Sequence, residues 1–208
     1  MLAWKYQLSR TDLHVHRLCL LLLAILAIGV LTACSERKAT LQFKSTDITG
    51  TTIGGDFAMT DHTGQPRKLS DYKGKIVLLF FGFTHCPDVC PTTLSEAAGA
   101  MKVLGERSKD VQVLFVTVDP ERDTQALLAQ YVPAFDPRFV ALRGTREELE
   151  AAARQFKVYY EKVPTPGTYT MNHTAGTFVL DRQGRLRLLI PYGAGVDVVS
   201  HDIAQLLG

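Results

Sequence analysis

Long apolar runs alternate with helix-like segments along this chain of 208 residues. The predicted strands are 76–83, 111–118 and a shorter run at 139–142. Almost every position of 76–83 and 111–118 is apolar, which is typical of central parallel strands that are covered on both faces. Four further segments have helical spacing or helix-capping signals. The predicted helices are 91–108, 123–131, 145–155 and 196–207.

Strand and turn signals flank this alternation. Residues 54–60 lead into a turn that bends at Gly64. Near the C-terminal end, the segments 174–181 and 185–190 are separated by a short polar turn, which predicts an antiparallel hairpin. Strands that alternate with helices, followed by a late antiparallel hairpin, indicate an α/β fold. The expected architecture is a three-layer sandwich with a mixed central sheet.

The first 33 residues have the pattern of an export signal. Residues 1–17 are polar and net basic, and 18–33 form an apolar run that is shorter than the ~20 residues of a usual spanning helix. The end of this run, Leu31-Thr32-Ala33-Cys34, resembles the bacterial lipobox. That resemblance implies cleavage before Cys34 and lipid attachment to its sulfur. The alternative is an uncleaved, slightly short membrane anchor.

These patterns divide the chain into three parts. Residues 1–33 are predicted as a lipoprotein signal peptide or membrane anchor, 34–52 as a polar tether, and 53–208 as the folded domain. Either form of attachment places the domain outside the cytoplasm, anchored on the periplasmic side of a bacterial membrane.

The balance of charge argues against one class of partner. Of the 23 basic and 21 acidic residues, three basic and one acidic residue precede Cys34, so the remainder carries equal numbers of each. The sequence contains neither a basic stripe nor an aromatic–basic platform. Nucleic-acid binding is therefore not expected.

Two of the four cysteines fall in the predicted domain. Cys19 lies in the apolar run and Cys34 at the lipobox, which leaves Cys86 and Cys90 between a strand and a helix. Each of these two is followed by a proline, and a residue before proline is displaced from the helical region. The sequence therefore predicts Cys86 in a loop and Cys90 at the helix N-cap, where the helix dipole favours a thiolate at Cys90. Asp88 opposes this effect.

Two chemistries remain open for this pair of thiols. They can form a redox-active disulfide, or they can hold a soft metal ion such as Cu(I) or Zn(II). Two sulfurs are too few for a structural zinc site, so a metal would need a third ligand. His173 is a candidate because it lies just before a predicted strand, and strand ends can converge at one edge of a sheet. Its alternative is a structural or solvated histidine. His85 and His201 are weaker candidates.

Three stretches together resemble the Sco/SenC family of copper-binding proteins: Gly82-Phe83-Thr84-His85-Cys86-Pro87-Asp88-Val89-Cys90-Pro91-Thr92, Val116-Thr117-Val118-Asp119-Pro120-Glu121-Arg122-Asp123-Thr124 and Asn172-His173-Thr174. The resemblance extends from about Gly54 to the C-terminus. It implies a thioredoxin-like fold and copper bound by Cys86, Cys90 and His173. It also implies a role in assembling the copper centre of cytochrome c oxidase subunit II. One departure is Asn172, because the family often has Asp at this position.

The acidic residues near these motifs have more than one candidate role. Asp88 and Asp119 are candidates for contact with a partner protein. The alternative for Asp88 is stabilisation of the cysteine loop, and the alternative for Asp119 is a turn residue before Pro120. Residues 121–123 are expected to form a solvated turn and helix N-cap.

Two function classes follow. The first is a copper chaperone, which is not an enzyme in the usual sense, with cytochrome c oxidase subunit II or another copper protein as its partner. The second is a thiol–disulfide oxidoreductase that uses Cys86 and Cys90 to reduce the copper-ligand cysteines of the target.

Overall fold

The computed structural model describes residues 41–208. The predicted signal peptide and the predicted lipidation site at Cys34 lie outside the described residues. Within the described range, none of the helices combines the length and the apolar character that a membrane crossing requires.

Ten strands and four α-helices make up residues 41–208. The strands are β1 (Thr46–Asp47), β2 (Ala58–Asp61), β3 (Pro66–Lys68), β4 (Ile76–Gly82), β5 (Val111–Thr117), β6 (Val140–Arg143), β7 (Tyr160–Thr165), β8 (Thr168–His173), β9 (Thr177–Leu180) and β10 (Leu186–Ile190). The helices are α1 (Val89–Leu104), α2 (Gln125–Tyr131), α3 (Arg146–Phe156) and α4 (Val196–Leu207). Short 3-10 helices span Leu69–Tyr72 and Gly105–Asp110.

Eight of the strands form one mixed sheet in the order β1-β10-β9-β4-β5-β6-β2-β3. The three central strands β4, β5 and β6 are parallel, and the other pairs are antiparallel. Every residue of β4 and of β5 is buried, which explains why both strands are apolar almost throughout. The predicted mixed sheet and the late β9–β10 hairpin are confirmed.

Helices cover both faces of this sheet. Side chains alternate between the faces along β4. Phe80 lines a small cavity with Leu94 of α1 and Val199 of α4, whereas Phe81 packs on Phe156 of α3 with ring centroids 6.0 Å apart. The predicted three-layer arrangement is therefore confirmed.

The caps explain two of the helix boundaries. Thr145 and Glu148 form the predicted capping box at α3, in which the backbone N–H of Thr145 donates to Glu148 Oε2 at 2.7 Å. The predicted helix 91–108 is shorter than expected, because α1 ends at Leu104. Gly105 has a φ of 55° and starts the 3-10 helix that follows.

The second half of the predicted tether packs on the domain. Thr46 of β1 pairs with Leu189 of β10, and the backbone N–H groups of Lys44 and Ser45 donate to the buried Asp202 at 2.8 Å each. The structured region therefore extends upstream of the expected start at residue 53. A two-residue strand has no periodicity, and a carboxylate more than 150 positions away leaves no local signal.

The β7–β8 hairpin forms a separate two-stranded sheet that the pattern analysis did not anticipate. Pro164 and Pro166 interrupt its alternation, and proline within a run argues against a strand. The turn closes at Gly167, which has a φ of 77°. This hairpin matters for the site because its last residue is His173.

Candidate metal centre

The two cysteines lie where β4 ends and α1 begins. Cys86 is in the connecting loop and is partly exposed, whereas Cys90 is the second residue of α1 and is fully buried. The predicted N-cap at Cys90 is wrong, because α1 begins at Val89 with Asp88 as its N-cap. Pro91 is still tolerated, since the N–H groups of the first helical turn have no partner within the helix.

Gly82 makes room for the sulfur of Cys90. A Cβ at this position would lie 2.7 Å from Phe80, 2.8 Å from Phe115 and 3.0 Å from Cys90 Sγ. These distances are shorter than ordinary carbon contacts. The last residue of the central strand therefore has to be small for the Cys90 sulfur to face the site.

His173 approaches the sulfurs from the end of β8. Its ring packs edge-on against Phe83 and Phe80, with centroids 5.7 and 6.1 Å apart. Its Nδ1 lies 2.9 Å from the carbonyl oxygen of Thr174. Because a carbonyl only accepts, Nδ1 carries the proton and Nε2 keeps a free lone pair. That Nε2 lies 3.7 Å from Cys90 Sγ.

The ligand atoms of Cys86, Cys90 and His173 all lie within 4.8 Å of one another. The cluster combines two soft sulfurs with one imidazole nitrogen, a donor set that suits Cu(I) or Zn(II).

The other candidate histidines lie elsewhere. His85 is largely exposed beside Thr84 and Asp123, and His201 faces Asp202 on α4. The structure thus brings together the three residues that the sequence singled out.

The negative charge of the thiol pair belongs on Cys86. A hydrogen bond from the Cys90 thiol lowers the pKa of Cys86 to about 4, against the opposing effect of burial and with further help from the backbone N–H groups of Cys90 and Asp88. The same thiol–thiolate bond, followed by burial, raises the pKa of Cys90. The expectation of a Cys90 thiolate is therefore wrong. The start of the helix does favour a thiolate, but its Cys90 N–H points at Cys86 Sγ, 3.4 Å away.

Asp88 and Asp119 differ in their surroundings. Asp88 is exposed and accepts a hydrogen bond from Tyr192 at 3.0 Å, so it remains available at the surface beside the cysteine loop. The carboxylate of Asp119 is fully buried and accepts hydrogen bonds from Arg122 Nε and the hydroxyl of Tyr169. Direct partner contact through Asp119 is inconsistent with this burial.

Asp123 supports the cysteine loop, a role that the sequence patterns did not indicate. It was expected in a solvated turn or N-cap, but it is fully buried, and Thr124 is the N-cap of α2. Its carboxylate accepts hydrogen bonds from the hydroxyls of Thr84 at 2.6 Å and Thr117 at 2.5 Å, and from the backbone N–H of Thr84 at 3.1 Å. The available signal was its position after the end of a buried strand, where strand ends and site loops meet.

Comparison with known proteins identifies the family to which this chain is related. The SCO1/SenC family model matches residues 45–208. The chain is 42% identical to the mitochondrial SCO2 homolog of Mus musculus over 135 residues, which is 62% of this chain and 52% of that protein. It is 40% identical to the mitochondrial SCO1 homolog of Homo sapiens over 136 residues, or 64% of this chain and 45% of the relative. The chain thus spans about half the length of these curated relatives.

Solved structures agree with the fold described above. Bradyrhizobium japonicum ScoI with copper bound has a TM-score of 0.69 and 39% identity, over 74% of this chain and 99% of that one. Apo Sco1 from Thermus thermophilus has a TM-score of 0.72 and 42% identity, over 81% and 99%. These similarities confirm the expected thioredoxin-like fold. With the family model matching almost all of the described residues, this chain belongs to the SCO1/SenC family.

Proposed function

We propose that this protein is a copper chaperone that holds Cu(I) through Cys86, Cys90 and His173. The observation that carries the proposal is the convergence of two sulfurs and one unprotonated imidazole nitrogen within 4.8 Å. Thiolates select Cu(I), and imidazole is compatible with it. A similar protein, Bradyrhizobium japonicum ScoI, was solved with copper bound, which supports the same ion here.

The arrangement suits an ion that has to be passed on. Three ligands leave Cu(I) open to a fourth group, and the partly exposed Cys86 leaves one side of the site accessible. Delivery proceeds by ligand exchange, in which a cysteine of the partner binds the ion while at least one ligand of this chain still holds it. The partner we propose is a copper protein with thiolate ligands, such as cytochrome c oxidase subunit II. Exposed Asp88 is a candidate contact for it.

Anaerobic titration of the full-length chain with Cu(I) and with Zn(II) tests this proposal. We expect one tightly bound Cu(I) per reduced chain and none once Cys86 and Cys90 are joined in a disulfide, because the disulfide has no thiolate to offer. Cys86→Ser and Cys90→Ser should each lose the ion. His201→Ala, which lies outside the cluster, is the control and should retain it. Equal Cu(I) binding by Cys90→Ser and the unmodified chain would refute the ligand assignment.

Thiol–disulfide exchange is the second candidate function, favoured by the low pKa of Cys86. The Cys86 thiolate would attack a target disulfide, forming a mixed disulfide and releasing one target thiolate. Cys90 would then give its proton to that thiolate and attack Cys86, which releases the second target thiolate. The products are a Cys86–Cys90 disulfide and a reduced target that can accept copper. This chemistry does not need His173.

We also propose that the protein is attached to the periplasmic side of a bacterial membrane through a lipid on Cys34. The support is the sequence pattern of residues 1–34. Mass spectrometry of the membrane-extracted protein should find an acylated N-terminal peptide that begins at Cys34. An unacylated peptide that retains residues before Cys34 would show an uncleaved anchor instead.

A further inference from the structure

The β7–β8 hairpin that carries His173 is not part of the main sheet. Among residues 41–208, β7 and β8 pair with each other in a two-stranded sheet of their own. A lone two-stranded hairpin is at best marginally stable in water. The position of His173 relative to the sulfurs therefore depends on the packing of its own ring on Phe80 and Phe83 and on the side-chain contacts that fix the hairpin to the domain.

The strongest polar contacts of this kind come from the turn after β5. Arg122 Nη1 donates to the backbone carbonyl of Tyr169 at 2.8 Å, and its guanidinium stacks 3.7 Å from the centre of the Tyr169 ring. Arg122 Nε binds the buried Asp119 at 2.5 Å, and the Tyr169 hydroxyl donates to the other oxygen of Asp119 at 2.9 Å. We call Asp119, Arg122 and Tyr169 the hairpin clasp.

The remaining contacts of the hairpin are weaker or less directional. Lys162 forms an exposed ion pair with Glu121, and exposed pairs contribute little. Met171 is buried and holds β8 against the domain by apolar packing. Such packing is non-directional and does not fix the orientation of the hairpin. The clasp is different because a planar guanidinium binds and stacks in one geometry.

The same turn also fixes the other half of the site. Asp123, one residue after Arg122, holds Thr84 and with it the start of the cysteine loop. The turn formed by residues 119–123, which follows β5, therefore contacts both the loop that carries the cysteines and the hairpin that carries His173. No hydrogen bond within the described residues joins this turn to Cys86, Cys90 or His173, so its influence on them is indirect.

We propose that the hairpin clasp is a positioning device for His173: it holds the hairpin so that Nε2 faces the two sulfurs. The proposal rests on the proposed copper function and deepens it. Arg122 and Tyr169 act only through His173, whereas Asp123 acts through the cysteine loop. Loosening the clasp therefore removes the contribution of His173 to copper binding and leaves the two sulfurs in place.

A double-mutant cycle tests this assignment through Cu(I) affinity, measured on the full chain by competition with a chromophoric Cu(I) chelator. Arg122→Lys keeps the charge but loses the planar fork, and Tyr169→Phe keeps the ring but loses the bond to Asp119. In the unmodified background we expect each variant to weaken Cu(I) binding by about 10- to 100-fold, as loss of an outer-shell partner does. In a His173→Ala background the same changes should have no further effect.

Two comparisons make the cycle decisive. Arg182→Lys, at an exposed ion pair with Asp110, is the matched control and should leave Cu(I) affinity unchanged in both backgrounds. An equal loss of affinity with and without His173 would mean that the clasp only stabilises the fold, and would overturn the proposal. If the unmodified chain binds Cu(I) and the clasp variants bind it equally well, the clasp proposal fails while the copper function stands.

Hydrogen exchange on the metal-free protein provides a readout that does not need copper. Amides of β8 should exchange faster in Tyr169→Phe and Arg122→Lys, while those of β4 and β5 stay as in the unmodified chain. Unchanged protection of β8 would contradict the clasp. Even a chain that binds no Cu(I), which would refute the proposed function, can be tested in this way.

Discussion

Alkylation of Cys86 by iodoacetamide is expected to proceed at nearly the same rate from about pH 5 to about pH 8. Its pKa is lowered to about 4, so the reactive thiolate is almost fully present throughout this range and is lost only as the pH falls through the folded pKa. An ordinary cysteine of pKa ~8.5 would react roughly 1,000-fold faster at the upper end than at the lower end. Alkylation quenched at timed intervals and quantified by peptide mass spectrometry measures the rate at Cys86 at each pH.

The source of the low pKa can be tested in the same assay. Removing the Cys90 thiol takes away the largest stabilising contact of the Cys86 thiolate, so Cys90→Ala should shift the profile of Cys86 to higher pH. The unfolded chain in urea is the control and should show the ordinary profile. Native Cys90 should stay unlabelled because it is fully buried. A tenfold rise per pH unit at Cys86 in the native protein would refute its assignment as the thiolate.

Replacing His173 with alanine is expected to separate the two candidate functions. A ligand is lost, so Cu(I) affinity should fall by more than the ~10- to 100-fold that loss of an outer-shell partner costs. Exchange with an oxidised target peptide should persist, because Cys86 keeps its hydrogen bond from Cys90, the largest cause of its low pKa. Chelator competition measures the first quantity, and the rate of mixed-disulfide formation near neutral pH measures the second.

His201→Ala is the control for this experiment, since that side chain lies on α4 and outside the cluster. Full Cu(I) affinity in His173→Ala would remove His173 from the copper site. Lost exchange together with lost affinity would mean that the imidazole serves both chemistries. The two activities would then depend on a single arrangement of three residues.

The central part of the fold could be predicted because it follows from local patterns. The parallel strands β4 and β5 are buried on both faces and therefore apolar almost throughout, a pattern that single-sequence reasoning detects well. The prolines after Cys86 and Cys90 correctly excluded a regular helical turn containing both residues. The position of His173 before a late strand was enough to make it a candidate, and its motif strengthened the assignment.

The residues that support the site could not be predicted, because a charged residue is expected to be exposed to solvent unless a buried partner is known. Asp119 and Asp123 are buried only because Arg122, Tyr169 and Thr84 meet them in the folded chain. The partners lie as many as 50 positions away, and no periodic pattern marks them. The location of the thiolate was wrong for a similar reason, since the direction of one N–H and the burial of one sulfur decided it.

The unequal burial of the two sulfurs has a consequence for the order of ligand exchange in the proposed copper handover. Cys90 lies under the site with no exposed surface, and Cys86 lies at its rim. Under the proposed copper handover, a thiolate that arrives from solvent would meet the ion on the Cys86 side, so we expect Cys86 to be the first ligand displaced and Cys90 the last. We expect the dissociation step at Cys90 to limit the rate of handover.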